Sequence, residues 1–172
     1  SNSSFAKNLP PSFNLENYWI NALLTAQFMS KLQPVSKKEL QFPASELYLI
    51  GLFFNIGAFM LASLYPEETE DFLQNYPGVD SPEKARQLEI ESFGTTIYSA
   101  GALLIAHWDL PKSVFSTVKE LDDLVSNKNI SDEAKLVRLC ARFSFQYYPS
   151  MEDESIKSSF VEECQSLLSV SP

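Results

Sequence analysis

The sequence predicts an all-α protein, a compact bundle of about eight helices, and three observations carry that expectation. Only five glycines occur among 172 residues, and long stretches run without Gly or Pro, the two residues that most disfavour a helix interior. Polar capping residues, several followed by proline or an acid, stand ahead of the apolar segments. No segment has the alternation of a half-buried strand, and there is no internal repeat or low-complexity tract.

The elements follow in order. Residues 1–14 read as a coil lead-in containing Pro10-Pro11. Asn14 is an N-cap for a helix from Leu15 to about Leu32, with Trp19, Leu23, Ala26 and Leu32 at roughly helical spacing. A loop marked by Pro34 and Pro43 leads to Ser45, the expected cap of an apolar helix reaching about Leu64. Pro66 with Glu67-Glu68 starts a short helix to about Asn75, because a first-turn proline loses nothing and acids complement the helix dipole. Pro77-Gly78 turn the chain, and Ser81-Pro82-Glu83 open a helix to about Phe93 that Gly94 stops. Thr95 or Thr96 opens the next, through Trp108, and Asp109-Leu110-Pro111 break it. Pro111 begins a helix ending near Val125, and Ser131-Asp132-Glu133 begin one to about Tyr148, stopped by Pro149. A last helix runs from about Met151 to Leu168, so residues 15–168 make one helical domain.

Composition narrows the function. At 45% hydrophobic and 13% aromatic the chain can fill a sizeable core. A formal net charge of −9 repels phosphate backbones, and Lys37-Lys38, Lys84/Arg86 and Arg138/Arg142 do not form a basic patch, so nucleic acid is not an expected partner. Cys140 and Cys164 lie in different helices and read as reduced thiols of a cytoplasmic protein. Leu47 to Tyr65 carries no charge and could cross a bilayer by length. Asn55 at its centre, acidic flanks and the lack of nearby Lys or Arg favour a buried core helix instead, so no membrane span is expected.

Three fragments occur in an ordered series: Tyr18-Trp19-Ile20-Asn21-Ala22, then Gly51-Leu52-Phe53-Phe54-Asn55-Ile56-Gly57, then Glu89 to Pro111 with Glu91, Gly94, Gly101-Ala102-Leu103-Leu104, Trp108 and Leu110-Pro111. Over about Leu15 to Leu121 this series resembles the HDOD family, a relative of the HD-type metal-dependent phosphohydrolases. The resemblance implies the HDOD helical core and a regulatory role in bacterial signal transduction. It also implies a helical lobe upstream of Trp19, where this sequence has a short coil. Apolar surface that such a lobe would cover is expected to meet a protein partner or a second copy.

Departures from the pattern shape the expected chemistry. HD hydrolases hold divalent metal with His and Asp side chains, and the metal activates water. Here Asn21 stands where the first histidine would be, Phe54 and Asn55 replace the His-Asp doublet, Ile97 replaces a later histidine, and Glu120-Leu121 fall at a frequent His pair. Phenylalanine and isoleucine cannot ligate, and an asparagine carbonyl is a poor substitute for a carboxylate. Asn21, Phe54, Asn55, Ile97 and Glu120 are therefore expected to line a vestigial cleft, with no catalytic residue, no metal and no cofactor. The expected function is a non-catalytic module acting through protein–protein contact. The alternatives are a small-molecule (nucleotide) sensor using that cleft, or a phosphohydrolase with unusual ligands.

The remaining candidates have plain structural readings. His107, the only histidine, has no evident orienting partner. Glu89/Glu91, Glu67-Glu68, Asp122-Asp123 and Glu152-Asp153-Glu154 read as solvated faces or dipole complements. Asn55 is expected to bond to Asn21 or to backbone across the cleft, since a buried amide needs a partner. Gly51 and Gly57 are expected to permit close helix packing, and Trp19 and Trp108 to anchor the core.

Overall fold

In a computed structural model the chain is described over residues 8–123, 130–148 and 153–169. Nine α-helices occur among the described residues, with no strand: α1 (Leu15–Leu32), α2 (Ala44–Phe53), α3 (Ile56–Leu64), α4 (Pro66–Asn75), α5 (Pro82–Phe93), α6 (Ile97–His107), α7 (Lys112–Asp123), α8 (Asp132–Tyr147) and α9 (Glu154–Leu168). Short 3-10 turns follow α1 at Gln33–Val35 and α4 at Tyr76–Gly78. The expected end near Val125, stop at Pro149 and start at Met151 lie outside the described residues.

Capping chemistry sets most of the boundaries. The side chains of Asn14, Ser81, Thr96 and Ser131 accept backbone N–H bonds from Asn17, Lys84, Ser99 and Ala134, and Gly94 ends α5 at φ +70°. Each cap satisfies a donor that the helix itself cannot. Ser45 does not cap α2: the helix begins at Ala44, Pro43 holds the cap position, and Ser45 sits within the first turn. The expected single helix to Leu64 is two, because Phe54 and Asn55 form a turn in which Asn55 has φ −110° and ψ 19°. That break adds the ninth helix.

Helix α1 packs on α2 and α8, α3 on α6, α6 on α7, and α8 on α9. Met29, Leu47, Ile50, Ile56, Ile105, Val114, Val118, Leu136, Val137, Cys140 and Leu168 form one contiguous core. The apolar stretch Ala44–Leu64, long enough by length and composition to cross a bilayer, buries Leu47, Ile50, Gly51, Ile56, Gly57, Leu61 and Ala62 within the bundle. Glycine lets these helices touch. A Cβ on Gly51 would stand 2.6 Å from Ala26 Cα, and one on Gly57 would stand 1.9 Å from the Ile97 carbonyl oxygen.

The tryptophans are not core anchors. Trp19 is 36% and Trp108 49% exposed. Trp19 packs edge-to-face with Tyr18 and at a tilt against Phe59, and Trp108 packs edge-to-face with Phe53, so each ring covers a neighbour and stays partly in water.

Candidate functional site

Four of the five motif positions fall at two joints: Asn21, Phe54 and Asn55 where α1 meets the α2–α3 turn, and Ile97 where α6 meets α3. Asn21 is on α1, and its Oδ1 is buried with no hydrogen-bond partner. One turn earlier, the Tyr18 hydroxyl donates to the main-chain carbonyl of Asn55 at 3.4 Å, and burial pushes the Tyr18 phenol well above its ordinary pKa. Asn55 thus joins α1 through its backbone. Its side chain makes no capping bond to α3, and Asn21 Oδ1 accepts nothing from it. Phe54 packs against the hydrophobic core. Ile97 lies across α3, its carbonyl against the bare face of Gly57. It also lines an apolar cavity of about 40 Å³ with Phe13, Ala58, Leu61 and Phe72.

Glu120 is not brought to this group by any bond it makes. Its carboxylate accepts from both the backbone N–H (3.1 Å) and the hydroxyl (2.5 Å) of Ser131, holding the start of α8 to α7. His107 is exposed at the end of α6. Cys140 and Cys164 are free thiols, and burial pushes the Cys164 thiol up to about 11. No group of three or more His, Cys, Asp or Glu side chains among the described residues is close enough to hold a metal ion.

A polar cluster that the sequence pattern did not mark lies beyond Ile97. Asp122 on α7 accepts from Arg86 of α5 (2.6 Å), from the Thr96 hydroxyl (2.6 Å) and from the Ser99 hydroxyl (2.6 Å), so one carboxylate ties three helices together. Burial opposes its charge, but the Ser99 and Thr96 hydroxyls and the Arg86 guanidinium outweigh it and hold the carboxyl below its ordinary value. Glu89 accepts the Ile97 N–H at 2.8 Å, and burial raises its pKa. Tyr98 is next to Ile97 on α6, but consecutive helical residues point about 100° apart. Its phenol lines a second cavity of about 410 Å³, together with Tyr76, Arg86, Glu89, Asp122 and Arg138. Burial first, and then the charge of Glu89, push that phenol up to about 12. These partners lie 23 to 36 residues from Asp122 in sequence, so no local motif could announce them.

The HDOD domain pattern matches residues 2–124. No curated protein matches the chain. Among solved structures, the MmoQ response regulator of Methylococcus capsulatus str. Bath is similar over 91% of this chain and 62% of its own, with a TM-score of 0.66 and 19% identity. A protein of Shewanella amazonensis SB2B, provisionally named a phosphohydrolase, is similar over 94% of this chain and 56% of its own, with a TM-score of 0.72 and 16% identity. An HDOD domain protein of Geobacter sulfurreducens with unknown function is similar over 96% of this chain and 55% of its own, with a TM-score of 0.63 and 16% identity. The chain therefore spans less than two thirds of the length of these solved relatives, and at such identities the likeness is one of fold. A domain pattern that covers more than half of the sequence settles the family: this chain belongs to the HDOD domain family.

Proposed function

We propose that this chain is a regulatory HDOD module that acts by binding a protein partner and performs no metal-dependent hydrolysis. The observation that carries the reading is the set of side chains at the motif positions. Asn21, Phe54, Asn55 and Ile97 offer two neutral amides and two hydrocarbons where a divalent cation needs carboxylate and imidazole donors. The residues present do not fit such an ion. Phe54 packs against the core, and the Ile97 backbone carbonyl is turned onto Gly57, so neither position can offer a donor to a ligand without unpacking a helix joint. A regulatory role is in keeping with the response regulator among the structural relatives.

Exposed apolar side chains support a protein partner. Trp19 and Leu23 lie one turn apart on α1, 36% and 46% exposed, and Leu103 on α6 is 71% exposed. The net charge of −9 disfavours nucleic acid, and free thiols suit a reducing cytoplasm. The burial of α2 and α3 suits a core segment better than a membrane span.

The test is metal binding and turnover measured together. After incubation with Mn²⁺, Fe²⁺ or Mg²⁺ and dialysis, elemental analysis is expected to find metal far below one ion per chain, and bis(p-nitrophenyl) phosphate is expected to remain intact. Stoichiometric metal, with hydrolysis that an Asn21→Ala or Asn55→Ala change abolishes, would install the phosphohydrolase reading instead. The partner half of the proposal stands on a separate measurement. A partner captured by the parent chain should be lost with Leu23→Glu or Leu103→Glu, while both variants melt like the parent. Retention by both variants would rule out these apolar faces.

A further inference from the structure

The cavity of about 410 Å³ beside Tyr98 has a charge pattern that its own walls do not consume. Arg86 is spent on Asp122, with which it shares a 2.6 Å ion pair, and Asp80 at the rim is paired with Lys84 at 2.8 Å. Arg86 and Asp122 also act on Glu89 electrostatically, but neither forms an ion pair with it, so the lining side chains that no ion pair engages are one guanidinium, Arg138, and one carboxylate, Glu89. Arg138 makes no ion pair among the described residues, so Glu89 and Arg138 are not in direct contact. Glu89 uses one oxygen on the Ile97 N–H and keeps the other. Tyr76 and Tyr98 line the same space, and their hydroxyls have no hydrogen-bond partner among the described residues.

Separated, unpaired charges of opposite sign select a ligand with the complementary pair. A simple anion would satisfy Arg138 and meet Glu89 as a like charge, and a simple cation would do the reverse. A zwitterion satisfies both ends. Tyr98 lines the cavity together with both of these charged residues. The two tyrosine rings provide faces for an apolar side chain and hydroxyls for the polar ends. The volume is in the range of small-molecule sites, larger than a bare amino-acid backbone needs.

We propose that the cavity between α5, α6, α7 and α8 binds a free amino acid with a large side chain, its carboxylate on Arg138, its ammonium on Glu89, and its side chain between Tyr76 and Tyr98. This site is distinct from the motif positions, since Ile97 faces α3 while Tyr98 faces the cavity. It also stands apart from the protein-partner reading, and either can fail alone.

The experiment is calorimetric titration of the intact chain with L-phenylalanine, L-tryptophan and L-tyrosine, each beside its amide, which lacks the carboxylate, and its N-acetyl form, which lacks the ammonium. At least one free amino acid is expected to bind, with its two blocked forms at least about tenfold weaker, roughly the worth of one charge-assisted hydrogen bond. Arg138→Ala, at an exposed side chain, should abolish the preference over the amide and leave the preference over the N-acetyl form. Glu89→Gln, which keeps an acceptor for the Ile97 N–H, should do the opposite. No binding by any of the three overturns the proposal. So does equal binding of free and blocked forms, or tight binding of inorganic phosphate that Glu89→Gln leaves unchanged, which would make this an anion site.

Discussion

A single hydrogen atom in place of a methyl group holds α3 against α6. Alanine is the better helix former by about 1 kcal/mol, so propensity alone would make Gly57→Ala stabilising. Packing reverses the sign. The added Cβ would meet the Ile97 carbonyl at 1.9 Å and the Gly101 nitrogen at 2.7 Å, both backbone atoms that cannot rotate away. Overpacking of this kind costs about 1–3 kcal/mol, and a domain of this size loses about 2–4 °C of Tm per kcal/mol. Gly57→Ala is therefore expected to melt several degrees below the parent. Gly94→Ala meets no neighbour, but it places a side chain at φ +70° and should cost about 1 kcal/mol from backbone strain alone. Urea unfolding of the two variants separates the causes. Parent-like stability for Gly57→Ala would mean that α3 and α6 do not touch here. The need for glycine at 57 was legible in the sequence as a residue too costly to stand in a helix without a packing reason. The identity of its neighbour was not, because Ile97 is forty residues away.

At the scale of elements, chain ends were easier to read than joints. Asn14, Ser81, Thr96 and Ser131 announce their helices because a cap is a local bond, made within three residues of itself. The turn at Phe54 and Asn55 left no such mark. Neither residue is Gly or Pro, and a segment apolar on every side offers no periodicity to interrupt. The partial exposure of Trp19 and Trp108 left no mark for a related reason: a large aromatic residue can pack part of its ring and keep the rest wet. The Asp122 cluster was invisible, since an acid near a helix end reads as solvated until its partners are known. Its consequence is a pH dependence of defined sign. The folded pKa of Asp122 lies below its ordinary value of 3.8, so its bonds contribute stability above that value, and the contribution is lost as pH falls through the folded pKa. Asp122→Asn should be about 1–3 kcal/mol less stable than the parent at pH 7, and the gap should close only below the ordinary aspartate range. Glu89 runs the other way. Its folded pKa is raised, chiefly by burial, so its contribution is full below the ordinary value of 4.5 and is lost as pH rises through the folded pKa. Denaturation midpoints of Asp122→Asn and Glu89→Gln followed from pH 3 to pH 7 should diverge from the parent in opposite directions. A parallel course would show that the two carboxylates do not sit in the environments described.

At the scale of the whole molecule, the recognisable family pattern ends at residue 124, but the core does not. Helix α8 lies against α1 and buries Ala134, Leu136, Val137, Cys140 and Phe143, while Leu168 at the end of α9 is fully buried. Phe143 stacks on Phe160 with ring centroids 3.9 Å apart, and Phe28 of α1 meets both rings, so α9 reaches the first helix through an aromatic contact. The Lys37 and Lys38 N–H groups donate to the Leu168 carbonyl, fixing the α1–α2 loop to the end of α9. The Gln41 N–H donates to Glu133, whose side chain is 1% exposed. Burying a Leu, Val or Phe side chain is worth about 1.5–3 kcal/mol, and a domain's net stability is only about 5–15 kcal/mol. Removing α8 and α9 strips Phe28 of both its ring partners, uncovers the faces of α1 and α2 that α8 packs on, and exposes several such side chains at once, a loss comparable with the entire net stability. A fragment ending at residue 124, although it contains every recognised motif, is therefore expected not to fold on its own. It should show reduced helical circular dichroism, bind a hydrophobic dye and melt without a cooperative transition, while residues 8–169 melt in one step. A cooperative melt of the shorter fragment with parent-like helicity would place the folding unit within the motif region and reduce α8 and α9 to an appendage. The expected result means instead that the residues by which this fold is recognised and the residues by which it is held together are largely different sets.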